Sequence, residues 1–102
     1  MDLISIDFER TLRKAAELDE QAQRLRRMTA GEYEETMQSL SNEWQSESSG
    51  AFFTKGERLR REIEQTATDI ERVAANLRTV ARRIYEAERR AQELAQQRTT
   101  GA

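Results

Sequence analysis

Along the second half of the chain, Phe52, Gly56, Leu59, Ile63, Thr66, Ile70, Val73, Leu77, Val80, Ile84, Ala87, Ala91 and Leu94 follow one another at alternating four- and three-residue steps. A mean period of 3.5 residues keeps one stripe facing a partner helix along its whole length, which strand alternation does not produce. The pattern predicts one helix over about 47–97, with Arg58, Arg60, Arg61, Glu62, Glu64, Arg72, Arg78, Arg82, Arg83, Arg89 and Arg90 among the polar residues of its other faces. The first half carries a shorter version. Phe8, Leu12, Ala15, Leu18, Ala22 and Leu25 share one face, and Tyr33, Met37, Leu40 and Trp44 resume it after a slip of one residue. This predicts a first helix over about 7–43 with Asp7 as N-cap. Across the slip, Thr29 and Glu32 form a capping-box pattern and Gly31 weakens a helix by about 1 kcal/mol relative to Ala. The slip is read as a stutter in one continuous helix, with a kink or break near 29–31 as the alternative.

Small polar residues cluster in Ser46-Glu47-Ser48-Ser49-Gly50, directly after Trp44, and predict a turn at about 44–47. A short connection between two long helices makes them antiparallel. The expected fold is therefore all-α, an antiparallel two-helix hairpin occupying 1–102 as one domain with a flexible tail at 98–102. Residues 1–50 hold 6 basic and 11 acidic side chains, whereas 51–102 hold 11 basic and 8 acidic. Opposite leg charges favour the hairpin and also pairing with a second one, setting register and partner more than stability. Two helices alone leave half of each stripe wet. Two hairpins packed as a four-helix bundle dimer cover it, with Leu12, Leu18, Leu25, Met37, Leu40, Leu59, Ile63, Ile70, Val73, Leu77 and Ile84 as the dimer seam. The partner is a second copy or a related hairpin.

Composition narrows the chemistry. The chain has 102 residues, 36% hydrophobic and 35% charged, with a net charge of −2 and no Cys, His or Pro. Thiolate and imidazole chemistry is excluded, and no cofactor or metal is expected. Acidic pairs such as Asp19-Glu20 and Glu34-Glu35 lie on solvated faces with nothing to tune a carboxyl group, so no enzyme is expected. Although 15 of the 17 basic residues are Arg, acids alternate with them and no aromatic residues are interleaved to stack bases, so nucleic acid is not a predicted partner. No apolar run approaches the roughly 20 residues of a membrane span, and Met1-Asp2-Leu3 lacks the basic n-region of a Sec-type signal. Trp44, the single Trp, ends the first leg, where few residues surround it; an exposed aromatic there is a binding hot-spot candidate, and a core anchor is the alternative.

Length, two-helix layout and the Trp at the turn together resemble the WXG-motif family, helical hairpins exported without a Sec signal by type VII secretion systems. The family's turn signature is W-x-G-x-x-A-x-x-F. In Trp44-Gln45-Ser46-Glu47-Ser48-Ser49-Gly50-Ala51-Phe52 the Trp and Phe are in register and both small positions hold Ser. Ser46 fits the Gly position if it caps the second helix, which would then begin near 47. Ile4-Ser5-Ile6-Asp7 is similar to the family's N-terminus. The family's second signal is Y-x-x-x-D/E. Tyr85 matches it, Arg89 stands four residues on, and the acid Glu88 comes one residue early. The resemblance implies a dimer folded in the cytoplasm, recognised by the secretion ATPase and secreted. Trp44, Ser46 and Phe52 would form the turn motif, and Tyr85 with Glu88 a shifted tail element, unless a partner subunit carries that signal. Two alternatives stay open: a helical companion of a larger LXG-type toxin, and an intracellular coiled-coil adaptor with no export role.

Overall fold

A computed structural model describes residues 2–100, which form three helices and no strand: α1 (Leu3–Ala30), α2 (Glu32–Glu43) and α3 (Ser49–Thr100). The fold is all-α, a helical hairpin in which α1 and α2 make the first leg and α3 the second. Contacts divide it into two compact units: a terminal unit of Met1–Leu18 with Arg72–Ala102, and a turn unit of Asp19–Glu71. Within each, the legs run antiparallel. Phe8 meets Tyr85 and Ser5 meets Arg89 in the terminal unit; Arg26 meets Thr68 and Tyr33 meets Gly56 in the turn unit.

The helix limits differ from the sequence reading for identifiable reasons. α1 begins at Leu3 instead of near 7, because the Asp2 carboxylate accepts the backbone N–H of Ser5 at 3.0 Å. Asp2 thus supplies the acceptor that Asp7 was expected to provide, and Asp7 lies inside the helix. The first leg is also not one helix. Gly31 adopts φ −104°, ψ −101°, outside the helical region, and separates α1 from α2. The interruption is confined to that residue: its N–H still bonds the Arg27 carbonyl at 2.9 Å, and its carbonyl accepts from Glu35 at 3.0 Å. No side chain caps α2. Thr29, 1% exposed, turns its hydroxyl back to the carbonyls of Leu25 and Arg26 at 3.3 and 3.0 Å, so the expected capping box with Glu32 does not form. In that buried position the hydroxyl is satisfied by its own helix. α3 starts at Ser49, two residues later than expected, and continues past 97 through Arg98 and Thr99. Gly101 and Ala102, the end of the expected tail, lie outside the described residues.

The buried core consists of small side chains. Ala15 and Ala22 on α1, and Ala67, Ala74 and Ala81 on α3, are the buried hydrophobic residues, and each set repeats every seven residues. Small side chains let two helix backbones approach closely, so these columns form the contact between legs within each unit. Beside the alanines on α3 runs a half-buried column, Gly56, Ile63, Ile70 and Leu77, and beside that an outer column, Phe52, Leu59, Thr66, Val73, Val80, Ala87 and Leu94, which is exposed. The long apolar stripe seen in the sequence is therefore split: its inner edge flanks the helix contact, and its outer edge faces solvent. On the opposite flank of the alanines, polar side chains close the leg contact. Arg26 donates to Thr68 at 2.9 Å and to the Glu71 carboxylate in the turn unit, and Arg89 donates to Asp2 and Ser5 in the terminal unit.

Candidate functional site

The turn, residues 44–48, is built around aromatic rings. Trp44 leaves the helical path with φ −104°, ψ 101°, while its N–H still bonds the Leu40 carbonyl at 2.7 Å. This extended geometry turns the indole toward the start of α3. Its ring centroid lies 4.9 Å from that of Phe52 and 6.3 Å from that of Phe53, and the two Phe rings meet edge to face at 5.4 Å. Such tilted contacts are favourable beyond the area they bury. Trp44 remains 37% exposed and Phe52 40%, so the packed rings still present an apolar surface. Phe53 completes it, a residue that the motif did not single out because it falls outside the apolar stripe.

The serines close the turn. Ser46 is not the N-cap of α3; its carbonyl accepts the N–H and the hydroxyl of Ser49 at 3.1 and 2.7 Å, and its own hydroxyl lies 3.0 Å from that of Ser48. The Ser48 carbonyl accepts the first helical bond of α3, from the N–H of Phe52 at 3.3 Å. Ser46 thus tightens the bend three residues before the helix starts. One turn further into α3, Gly56 lets the first leg come close. A Cβ there would collide with the Met37 methyl, and the Gly56 carbonyl accepts the Tyr33 hydroxyl at 2.5 Å. Absence of a side chain is what this helical glycine contributes.

In the terminal unit, Tyr85 stacks on Phe8 with centroids 4.6 Å apart, and the Arg89 guanidinium sits over the Tyr85 ring at 5.3 Å. Arg89 also donates to both Asp2 oxygens at 2.6 and 3.1 Å and to the Ser5 hydroxyl at 2.6 Å. The Ser5 N–H and then Arg89 hold the Asp2 carboxyl down at about 2. Hydrogen bonding to Tyr85 and to Asp2 raises Arg89 above its ordinary value. Arg89, which the sequence showed only as an interruption of the tail motif, is thus a clasp between the leg ends of this unit. Glu88 points elsewhere: with Tyr85, Ile4, Phe8, Leu77, Val80 and Ile84 it lines an open groove of about 340 Å³. The structure brings Tyr85 and Glu88 to one surface.

The seam residues fall into two groups. Leu12, Leu18, Leu25, Met37, Leu40, Ile63, Ile70 and Leu77 are half-buried, whereas Leu59, Val73 and Ile84 are 48–52% exposed. Among the described residues no helix is long and apolar enough to cross a membrane.

The chain is thus a small all-α hairpin with an exposed Trp–Phe cluster at its turn. Comparison with protein families gives the particular group. Residues 3–89 match the family described as WXG100, proteins of 100 residues with WXG, and the chain belongs to that family of small helical proteins associated with type VII secretion. Comparison with curated proteins and with solved structures finds no match.

Proposed function

We propose that this chain is a non-enzymatic substrate or secretion partner of a type VII system, folded in the cytoplasm as a dimer of hairpins and recognised by the secretion ATPase. The observation that carries the reading is the turn: a Trp held on two Phe rings while remaining more than one third exposed. A ring fixed in this way loses little freedom when a partner covers it, and large exposed aromatics anchored by neighbours are the residues on which binding energy concentrates. Tyr85 and Glu88 act as the tail element, because they line the same groove while Arg89 is turned toward Asp2. Ser46 shapes the turn, its carbonyl accepting from Ser49. Export of Trp44→Ala from the native host tests the reading: secretion is lost while helicity is kept. A variant secreted at the native level refutes the role of the turn. Glu88→Gln is expected to reduce export, and unchanged export would remove Glu88 from the tail element.

A further inference from the structure

Arg89 has an acceptor inside the chain for each of its terminal N–H groups. Nη1 donates to Asp2 Oδ2 at 2.6 Å and to Gln92 Oε1 at 3.0 Å; Nη2 donates to Asp2 Oδ1 at 3.1 Å and to the Ser5 hydroxyl at 2.6 Å. The two terminal nitrogens of a guanidinium carry two hydrogens each, so these acceptors exhaust them. The flat face of the group lies over the Tyr85 ring, 5.3 Å from its centroid. Asp2 supplies two of the acceptors and the only negative charge among them. The pair is not buried: the Arg89 side chain is 31% exposed and that of Asp2 39%. An ion pair so placed adds little to stability, and its larger consequence is for the charge that the surface presents.

Side chains three and four apart on a helix are neighbours, so Glu88 and Arg89 both adjoin Tyr85, and Glu88 lines the groove with it. A free guanidinium there would offset the Glu88 carboxylate for a partner that reads a negative charge beside the ring. Bound to Asp2, Arg89 is neutralised and occupied, and Glu88 is the charge left on offer. We propose that Asp2 is a positioning residue of the tail element: from the other leg it holds Arg89 down and so gives the Tyr85 surface its acidic character. The inference rests on the tail-element reading above. The element is then built from both legs of the terminal unit and is complete only when the first turn of α1 is seated on α3. With that turn unseated, a positive charge stands where a cationic partner selects a negative one, and like charge excludes it.

Asp2→Asn separates charge from capping. Asn accepts the Ser5 N–H as well as Asp does, so α1 keeps its start, but it no longer neutralises Arg89. Export of this variant from the native host is expected to fall about fivefold, the effect of one exposed charge. Arg89→Met removes the guanidinium and keeps an aliphatic stem on Tyr85; it is expected to be exported at the native level, and adding it to Asp2→Asn should restore export. A clasp that serves stability alone predicts Arg89→Met as impaired as Asp2→Asn, with no rescue in the double variant. That result, or native export of Asp2→Asn, overturns the inference. In the purified chain, NMR should show the Arg89 guanidinium hydrogens exchanging with water more slowly than those of the exposed Arg83, and Asp2→Asn should abolish the difference. Equal rates in the native chain overturn the clasp with no reference to secretion. Tyr85→Ala and Glu88→Gln decide the underlying reading separately. Impaired export of both beside normal export of Asp2→Asn leaves the tail element standing and removes Asp2 from it; normal export of both removes the element, and the role of Asp2 with it.

Discussion

Ala67→Leu probes the division of the apolar stripe most directly. Ala67 is 0% exposed and lies in the column that meets the first leg inside the turn unit, next to Thr68, which accepts from Arg26. A leucine adds three carbons where there is no room. The legs must separate or the side chain must leave its rotamer, at about 1–3 kcal/mol, and separation also stretches the contacts of Arg26 with Thr68 and Glu71. For a chain of this size each kcal/mol lowers the melting temperature by about 4–8 °C, so a fall of roughly 5–20 °C is expected in thermal melts followed by the helical circular dichroism band. Thr66→Leu is the paired control. It places the same leucine one position earlier, with a smaller gain in volume, on the exposed outer column, where it meets solvent, or apolar surface if the proposed dimer covers that column. Its melting temperature should stay level or rise with protein concentration. A stable Ala67→Leu beside a destabilised Thr66→Leu would mean that the faces are exchanged, and the account of the core would be wrong.

Three further outcomes follow from particular contacts. Because Asp2 is held at about 2 against an ordinary 3.8, its folded-state contribution is complete above about pH 4 and disappears as the pH falls through about 2. An NMR titration of the Asp2 carboxyl should show that midpoint, and Arg89→Ala should move it upward. Gly56→Ala should be nearly neutral, the gain of about 1 kcal/mol in helix propensity offsetting displacement of the flexible end of Met37, whereas Gly56→Leu should disrupt the turn unit in the same melts. Arg26→Met keeps the aliphatic stem and removes the bonds to Thr68 and Glu71; with both ion-pair side chains about 40% exposed, a loss of about 0.5–1 kcal/mol is expected in urea denaturation.

Periodicity, the absence of Pro and the serine-rich bend were sufficient for the all-α hairpin, since a 3.5-residue repeat sustained over much of the chain has no other regular solution. The turn was legible for the same reason: Trp44 and Phe52 bracket the only small polar cluster between the legs. Local signals were ambiguous wherever two residues were chemically alike. Asp2 and Asp7 serve equally well as acceptors for a helix start, and the contact of Asp2 with Arg89, distant in sequence, accompanies the use of the first. Ser46 and Ser48 likewise could each precede α3, and the geometry of the bend decided between them.

What the sequence by itself determined is the set of positions on the apolar arc, because helical spacing depends only on the backbone repeat. How that arc is divided was decided by the tertiary structure. The periodic pattern placed Ala15 and Ala22 on the apolar face of the first leg but passed over Ala67, Ala74 and Ala81 on the second, and all five form the buried contact. The closest approach of two backbones is available only where side chains are smallest, so the alanines went inside and left Leu59, Val73 and Val80 at the surface.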